Sequence, residues 1–503
     1  MMGLEWNEIV VEVYTNKSLP GIDIIWLPDA SVKEAKERIR ATFKQIGCDL
    51  PPRRIVLNLA PSDIKKMGSS FDLPMAVGIL LLLHQDKVVV SQKLIEQSLF
   101  FGELGLDGKV KRVNWLLPSV IAGVKNWYKS FFVPRENLYE LEYVEWISLY
   151  PVDDFSQIFT FFCKGEWLEV VMGGKKVLEF DHHYGEDFSQ VKWHLVAKRA
   201  LSIAATGLHN VLMIWSPWTW KTMLSKAMHS ILPPLDFSEI LEVSQIYSIV
   251  GKLSAECPLI SRRPMRQIHH TASKVSIVWG GKALTPWEIS LAHRWILFFD
   301  ELPEFPREVL EVLRQPLEDK VMSISRVTGT VQYPAEFLFV ASMNPCKCWF
   351  YKDLQKNCIC SHREIKNYQS KISGPLLDRI DMILEIPRES MEVLMDKNHY
   401  FDTQALQEAV NCAWQTQKKR FEGTAISSNA HIPAVLIDKF IELDEKAEQL
   451  LFQSTKAFTL SPRLVHRILR LSRTIADMDN QKKVWQVHLS EALHYRSKSL
   501  FLD

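Results

Sequence analysis

Apolar and polar residues alternate from Glu8 to Tyr14, the two-residue period of a strand with one face covered. Ile22 to Trp26 predicts a second strand. From Ser31 to Ile46 the period lengthens, and Val32, Ala35, Ile39 and Phe43 form one stripe of a helix that Asp29 can cap. Arg54 to Leu59 predicts a strand, and Pro74 to His84 a helix apolar enough to be buried. Gly102 to Val110 predicts a hairpin turning at Asp107-Gly108, and Phe131 to Pro134 a short strand. Residues 1–163 thus form a mixed module in which no nucleophile–base pairing stands out. A polar, glycine-containing passage, 164–187, predicts a linker.

The pattern changes in 188–388. Val191 to Ala205 predicts a helix, Val211 to Ile214 a wholly apolar strand, Met223 to Ile231 and Leu235 to Val250 further helices. Ser261 to Thr271 is expected to be a loop, basic through Arg262, Arg263, Arg266, His269 and His270. Trp295 to Phe299 is an apolar run closed by Asp300 and Glu301, as a strand buried on both faces reads, and Phe337 to Ser342 is another, followed by Asn344. Ligands of α/β sheets bind at the carboxyl ends of such strands. In 389–503 strands disappear, and helical periodicity runs through Thr403 to Phe421, Pro433 to Ser454, Pro462 to Ala476 and His488 to Ser499. The fold class is therefore α/β, with a parallel-sheet core and a C-terminal helical domain.

Composition changes this picture in one respect. Apolar residues make up 47% and charged residues 24%, and the net charge is +1, so no whole-chain charge marks a nucleic-acid binder. The N-terminus has no signal-peptide pattern, and the longest apolar run, Met75 to Leu83, is too short to span a bilayer. A cytoplasmic protein without membrane contact is the expectation. Tryptophan is the exception: there are 16 Trp against 20 Gly, where ordinary usage of about 7% would give about 35 glycines.

The chemistry gathers after the Val211 strand. Trp215, Ser216, Pro217, Trp218, Thr219, Trp220, Lys221 and Thr222 have the layout of a P-loop, Gly-x4-Gly-Lys-Ser/Thr, with both glycines written as tryptophan. A P-loop needs glycine so that its N–H groups can close around phosphates. Lys221 would reach the β- and γ-phosphates, and Thr222 and Asp300 would hold Mg²⁺. Glu301 would activate the attacking water, and Asn344 would orient it, unless Asn344 is only a turn residue before Pro345. Arg379 would be an arginine finger serving a neighbour's site, or else a surface partner of Asp378 or Asp381. Arg463 would reach the γ-phosphate from the helical domain, or else solvate a helix end. Cys346, Cys348, Cys358 and Cys360 are half of the eight cysteines and fall within 15 residues. Structural Zn²⁺ suits such a cluster, although the Cys-x-Cys gaps are tighter than the usual pairs; reduced loop thiols are the alternative.

These motifs make the chain resemble the magnesium-chelatase-like AAA+ ATPases of the YifB/ComM type over almost its full length. The matching segments are Ile24-Ile-Trp-Leu-Pro-Asp-Ala30, Arg53 to Pro61, Phe71 to Pro74, Gly102 to Gly108, Ile214 to Thr222, His269 to Ser273, Trp287 to His293, Phe299 to Phe305, Leu313 to Asp319, Met343 to Cys346 and Gly374 to Asp381. The chain departs at Arg266-Gln-Ile, where relatives have Arg-Ala-Pro. The family has glycine where this chain has Trp6, Trp26, Trp115, Trp146, Trp193, Trp215, Trp218, Trp220, Trp279, Trp287, Trp295 and Trp349. Decay would not choose one replacement so uniformly. Some bacterial lineages read UGA as glycine, and conceptual translation with UGA as Trp would write this pattern. The resemblance implies a ribosomal S5 domain 2/Lon-like N-terminal domain (1–163), a AAA+ core (188–388) and a helical lid (389–503). It implies ATP and Mg²⁺, a ring-shaped oligomer, expected to be a hexamer, and action on DNA in recombination or transformation. No motif for a Lon-type Ser-Lys dyad is present, so no protease activity is expected. With real tryptophans in the loop, a nucleotide-free scaffold is the alternative.

Overall fold

The computed structural model describes residues 6–25, 30–61, 68–174, 188–190, 194–215, 221–263, 265–271, 286–326, 329–353, 356–386 and 403–496. By contact the chain divides into two units, Met1–Glu179 with Ile240–Ser261, and Phe180–Glu239 with Arg262–Asp503. Among the described residues no helix is long and apolar enough to cross a membrane.

The first unit begins with β1 (Val10–Asn16), β2 (Gly21–Ile25) and β3 (Arg54–Ala60), in the order β1-β3-β2. β1 runs antiparallel to β3 and β2 parallel to it. The helix Ala30–Gln45 buries Ala35, Ile39 and Phe43 completely, the stripe its periodicity marks. The Pro74 helix spans Asp72–Leu83 and buries most of its length, because it has almost no polar side. β4 (Ser98–Phe100) precedes β5 (Glu103–Leu104) and β6 (Val110–Lys111), which form the hairpin about Asp107-Gly108. Gly108 supplies the turn's positive φ of 76°. β7 (Ser130–Pro134), β8 (Ser148–Val152) and β9 (Val171–Met172) complete a sheet ordered β4-β7-β8-β9. β9 lies inside the stretch that reads as a linker, and it pairs antiparallel with β8.

The second unit is built on five parallel strands: β10 (Val211–Trp215), β11 (Met265–Ile268), β12 (Ile296–Phe299), β15 (Leu338–Met343) and β16 (Met382–Ile386), ordered β11-β12-β15-β10-β16. A hairpin of β13 (Val321–Arg326) and β14 (Gly329–Pro334) stands apart from this sheet. Alternate residues of the central strands feed two cores. Val211, Met213, Phe298, Val340 and Leu384 face the helix Leu195–Gly207 and the C-terminal helices. Leu212, Ile214, Leu297, Phe299, Phe339 and Ile383 face a layer with Leu302, Val309, Leu313 and Leu376. Burial on both faces is why these strands are unbroken apolar runs.

Two expectations are corrected. The basic stretch 261–271 is not all loop, because β11 extends the sheet by main-chain pairing to β12. Arg263 there is internal: it donates to the carbonyls of Pro233 (2.7 Å) and Arg294 (2.8 Å) and pairs with Glu239 at 3.2 Å. The run Pro433 to Ser454 is also broken. A short helix Ile437–Phe440 ends, Ile441 turns extended, and a new helix Glu445–Ala457 starts where the Asp444 carboxylate accepts from the Lys446 N–H. The helices Thr403–Phe421 and Pro462–Met478 follow the pattern closely, whereas the last helix, Gln486–His494, starts two residues before the expected His488 and stops at His494, with Tyr495 and Arg496 in a turn and 497–499 outside the described residues.

Candidate active site

β10, β15 and β12 lie side by side and parallel, so their carboxyl ends open on one edge of the sheet. At roughly 4.8 Å per strand, the ends of β10 and β12 are about 10 Å apart. Register sets what meets there. Phe299 pairs with Ala341, which brings Asp300 level with Ser342. The Ser342 hydroxyl donates to Asp300 Oδ1 at 2.5 Å. The Glu301 N–H donates to the same oxygen (3.1 Å) and faces the Ser342 Oγ (3.3 Å). Glu301 takes a left-handed φ of 53°, an unusual backbone for a glutamate. That turn leads into Leu302, which is fully buried and anchors it. The Glu301 carboxylate is 38% exposed, 3.8 Å from Nδ1 of His270, whose ring lies 4.3 Å from that of His269.

Asn344 follows β15 directly and is buried. Its backbone N–H faces the Tyr368 hydroxyl; burial first, then the charges of Glu304 and Glu301, push that phenol well above its usual range. Asp300, Glu301, Ser342 and Asn344 are therefore together at one strand edge. Lys221 and Thr222 open the helix Lys221–Ala227 that follows β10. Ser216, Pro217, Trp218, Thr219 and Trp220 lie outside the described residues. Trp215 belongs to β10, paired with Ile386, rather than to the loop. It is fully buried, its indole Nε1 has no hydrogen-bond partner among the described residues, and its ring meets His194 edge-on at 5.9 Å.

The two expected arginines are found together. Arg379 ion-pairs with Glu318 and donates to the Pro375 carbonyl at 2.8 Å. Arg463 donates to the other oxygen of Glu318 at 2.5 Å. Their partner is thus one carboxylate, neither Asp378 nor Asp381. Asp381 instead pairs with Arg467 and accepts from the Asn210 N–H at 2.9 Å. Burial alone would raise the Asp381 carboxyl, but Arg467 and its other partners hold it below the usual range. The sequence assigned no role to Ser342 or Glu318, although Glu318 lies inside the matching segment Leu313 to Asp319. The four cysteines converge elsewhere, in the loop after Asn344.

Comparison with known proteins follows the same outline. Residues 187–394 match the model described as "Magnesium chelatase, subunit ChlI", 11–137 that of "Subunit ChlI of Mg-chelatase", and 401–496 that of "Magnesium chelatase, subunit ChlI C-terminal". The chain is 34% identical to competence protein ComM of Haemophilus influenzae over 501 residues, 99% of this chain and 96% of ComM. It is 34% identical to YifB of Escherichia coli over 99% of this chain and 95% of YifB. The Salmonella typhimurium YifB is 32% identical over 99% and 95%.

Proposed function

The chain belongs to the magnesium-chelatase-like family that includes ComM and YifB, and from that premise we propose that it is a AAA+ motor that binds and hydrolyses ATP. The observation that carries this reading is the edge where Asp300, Glu301, Ser342 and Asn344 meet beside the strand that runs into Lys221-Thr222. The donor set suits the metal: Thr222 and Asp300 offer the hard oxygens that magnesium prefers, and Ser342 holds one Asp300 oxygen in place. Magnesium held there would supply positive charge to offset that of the phosphates. Lys221 binds those phosphates. Glu301, turned outward by its left-handed backbone, takes the proton of the attacking water. Asn344 orients that water. Arg379, supplied by a neighbouring subunit, and Arg463 stabilise charge on the transferred group.

This reading takes Trp215, Trp218 and Trp220 as glycine in the natural protein. Its support is conformational. Of twelve non-glycine residues with positive φ among the described residues, four are tryptophan: Trp115 (72°), Trp127 (71°), Trp146 (65°) and Trp349 (74°). Bulky residues rarely adopt this region and glycine does so freely. Three of the four, all but Trp127, are positions where the family has glycine. The second reading, a nucleotide-free scaffold, draws on Trp215 as written, buried at the strand end where the phosphate loop begins. The gene decides between them. UGA codons at 215, 218 and 220 support the motor, and UGG codons support the scaffold. Protein carrying glycine at the three positions should then bind Mg-ATP and lose it on Lys221→Ala; protein with the indoles in place should bind none.

The same reading divides the chain into an S5/Lon-like domain (1–163), a linker (164–187), the ATPase core (188–388) and a lid (389–503). It places the motor in the cytoplasm as a ring of identical subunits, a hexamer, acting on DNA in recombination or transformation. The competence protein among its relatives points to the same kind of work.

A further inference from the structure

We propose that Cys346, Cys348, Cys358 and Cys360 hold one zinc ion as a closed tetrathiolate that fastens the end of β15 to the helix His362–Gln369. The proposal stands apart from the nucleotide reading. Its ground is convergence. Cys346 Sγ lies 3.4 Å from Cys348 Sγ and 3.7 Å from Cys358 Sγ, Cys348 Sγ lies 3.4 Å from Cys358 Sγ, and all four sulfurs fall within 4.8 Å of one another. Four thiolates at 2.3 Å from one zinc form a tetrahedron with edges of about 3.8 Å. A disulfide would draw two sulfurs to about 2.05 Å. The space enclosed suits a single ion rather than a cluster.

The local backbone shows how so tight a Cys-x-Cys gap can serve. Trp349 turns left-handed at φ 74° just after Cys348, and its N–H donates to the Cys346 carbonyl at 3.1 Å. The chain folds back, and backbone N–H groups then face the sulfurs: Phe350 and Ile359 at Cys348, Tyr351 at Cys346. Such donors stabilise thiolates and orient them, as outer-shell groups do around metal ligands. Thiolates are soft ligands that select zinc over the hard cations, and four of them leave no open position, which makes the site structural.

The loop has little else to order it. Between Cys346 and the helix no described residue is buried, and Ile359 is 87% exposed. A metal would supply that order. Both ends of the loop are anchored: Asn344 and Pro345 at one, the Ser361 cap of the helix at the other, with Gln369 donating to the Pro345 carbonyl at 3.0 Å. The zinc would therefore fix the segment that carries Asn344.

The test is metal analysis of the full-length protein purified without chelator, paired with thiol alkylation. About one equivalent of zinc per chain is expected, falling to about a tenth or less in Cys348→Ser and Cys358→Ser and unchanged in Cys412→Ser. In unaltered protein the four thiols should alkylate slowly and become reactive on chelation, while exposed Cys257 and Cys412 react throughout. This second measurement needs no variant to fold. Cobalt replacing zinc should give the absorption of a tetrahedral tetrathiolate. Less than about a tenth of an equivalent of zinc in the unaltered protein, an equivalent of iron in its place, or four thiols that alkylate as fast as Cys412 would each overturn the proposal.

Discussion

Trp146 is 83% exposed and holds a left-handed φ of 65°. A non-glycine residue held there costs on the order of 1 kcal/mol or more. Trp146→Gly should therefore stabilise the protein by about 1 kcal/mol despite the extra freedom of the unfolded chain, read as a higher urea midpoint. A lower midpoint would mean that the indole belongs there. In protein with glycine at 215, 218 and 220, Glu301→Gln keeps the shape and removes the base. ATP binding should persist while hydrolysis falls by about 100-fold or more; hydrolysis at the restored rate would end the assignment.

Between elements, His209 is a latch with a pH dependence. It lies between the helix Leu195–Gly207 and β10, and its Nε2 meets Thr474 Oγ1 of the helix Pro462–Met478 at 2.7 Å. Burial lowers its pKa to about 4; Asp381 opposes this, while His431, Arg470 and Arg467 add to it. The folded state thus takes up His209's proton only near pH 4, the unfolded chain near 6.5. Between those values the unfolded state binds more protons, so the stability His209 contributes is full above about pH 6.5 and is lost as pH falls toward 4. From pH 7.5 to 5 the loss from this residue should be about 2 kcal/mol. Denaturant unfolding at the two pH values should show a smaller drop in His209→Gln than in the unaltered protein. An identical drop would mean that other groups carry it.

In one chain Arg379 and Arg463 share Glu318, a carboxylate that a nucleotide phosphate of a neighbouring subunit would have to displace from Arg379. With the glycines restored, Arg379→Ala should bind ATP and hydrolyse it poorly. Mixing it with Lys221→Ala should recover part of the activity, because the partner's intact arginine then serves the good P-loop. Mixed rings that form without recovery would place the arginine's role within its own chain.

Apolar periodicity by itself determined the stripe on Ala30–Gln45 and the strands β10, β12 and β15, since a parallel strand buried on both faces can only be an unbroken apolar run. It also exposed Asp300, Glu301 and Asn344, polar residues that end such runs. It did not show β11, whose Arg266 and Gln267 look like loop because its pairing with β12 is main-chain and leaves no side-chain signature. Nor did it show Ser342 beneath Asp300, 42 residues away, or Glu318 gathering arginines 61 and 145 residues distant. The cysteine spacing suggested a metal, but only the turn at Trp349 brings the four sulfurs to one point. Contacts of this kind are set by register and crossover, which couple residues far apart in sequence, and no local pattern encodes a distance between strands.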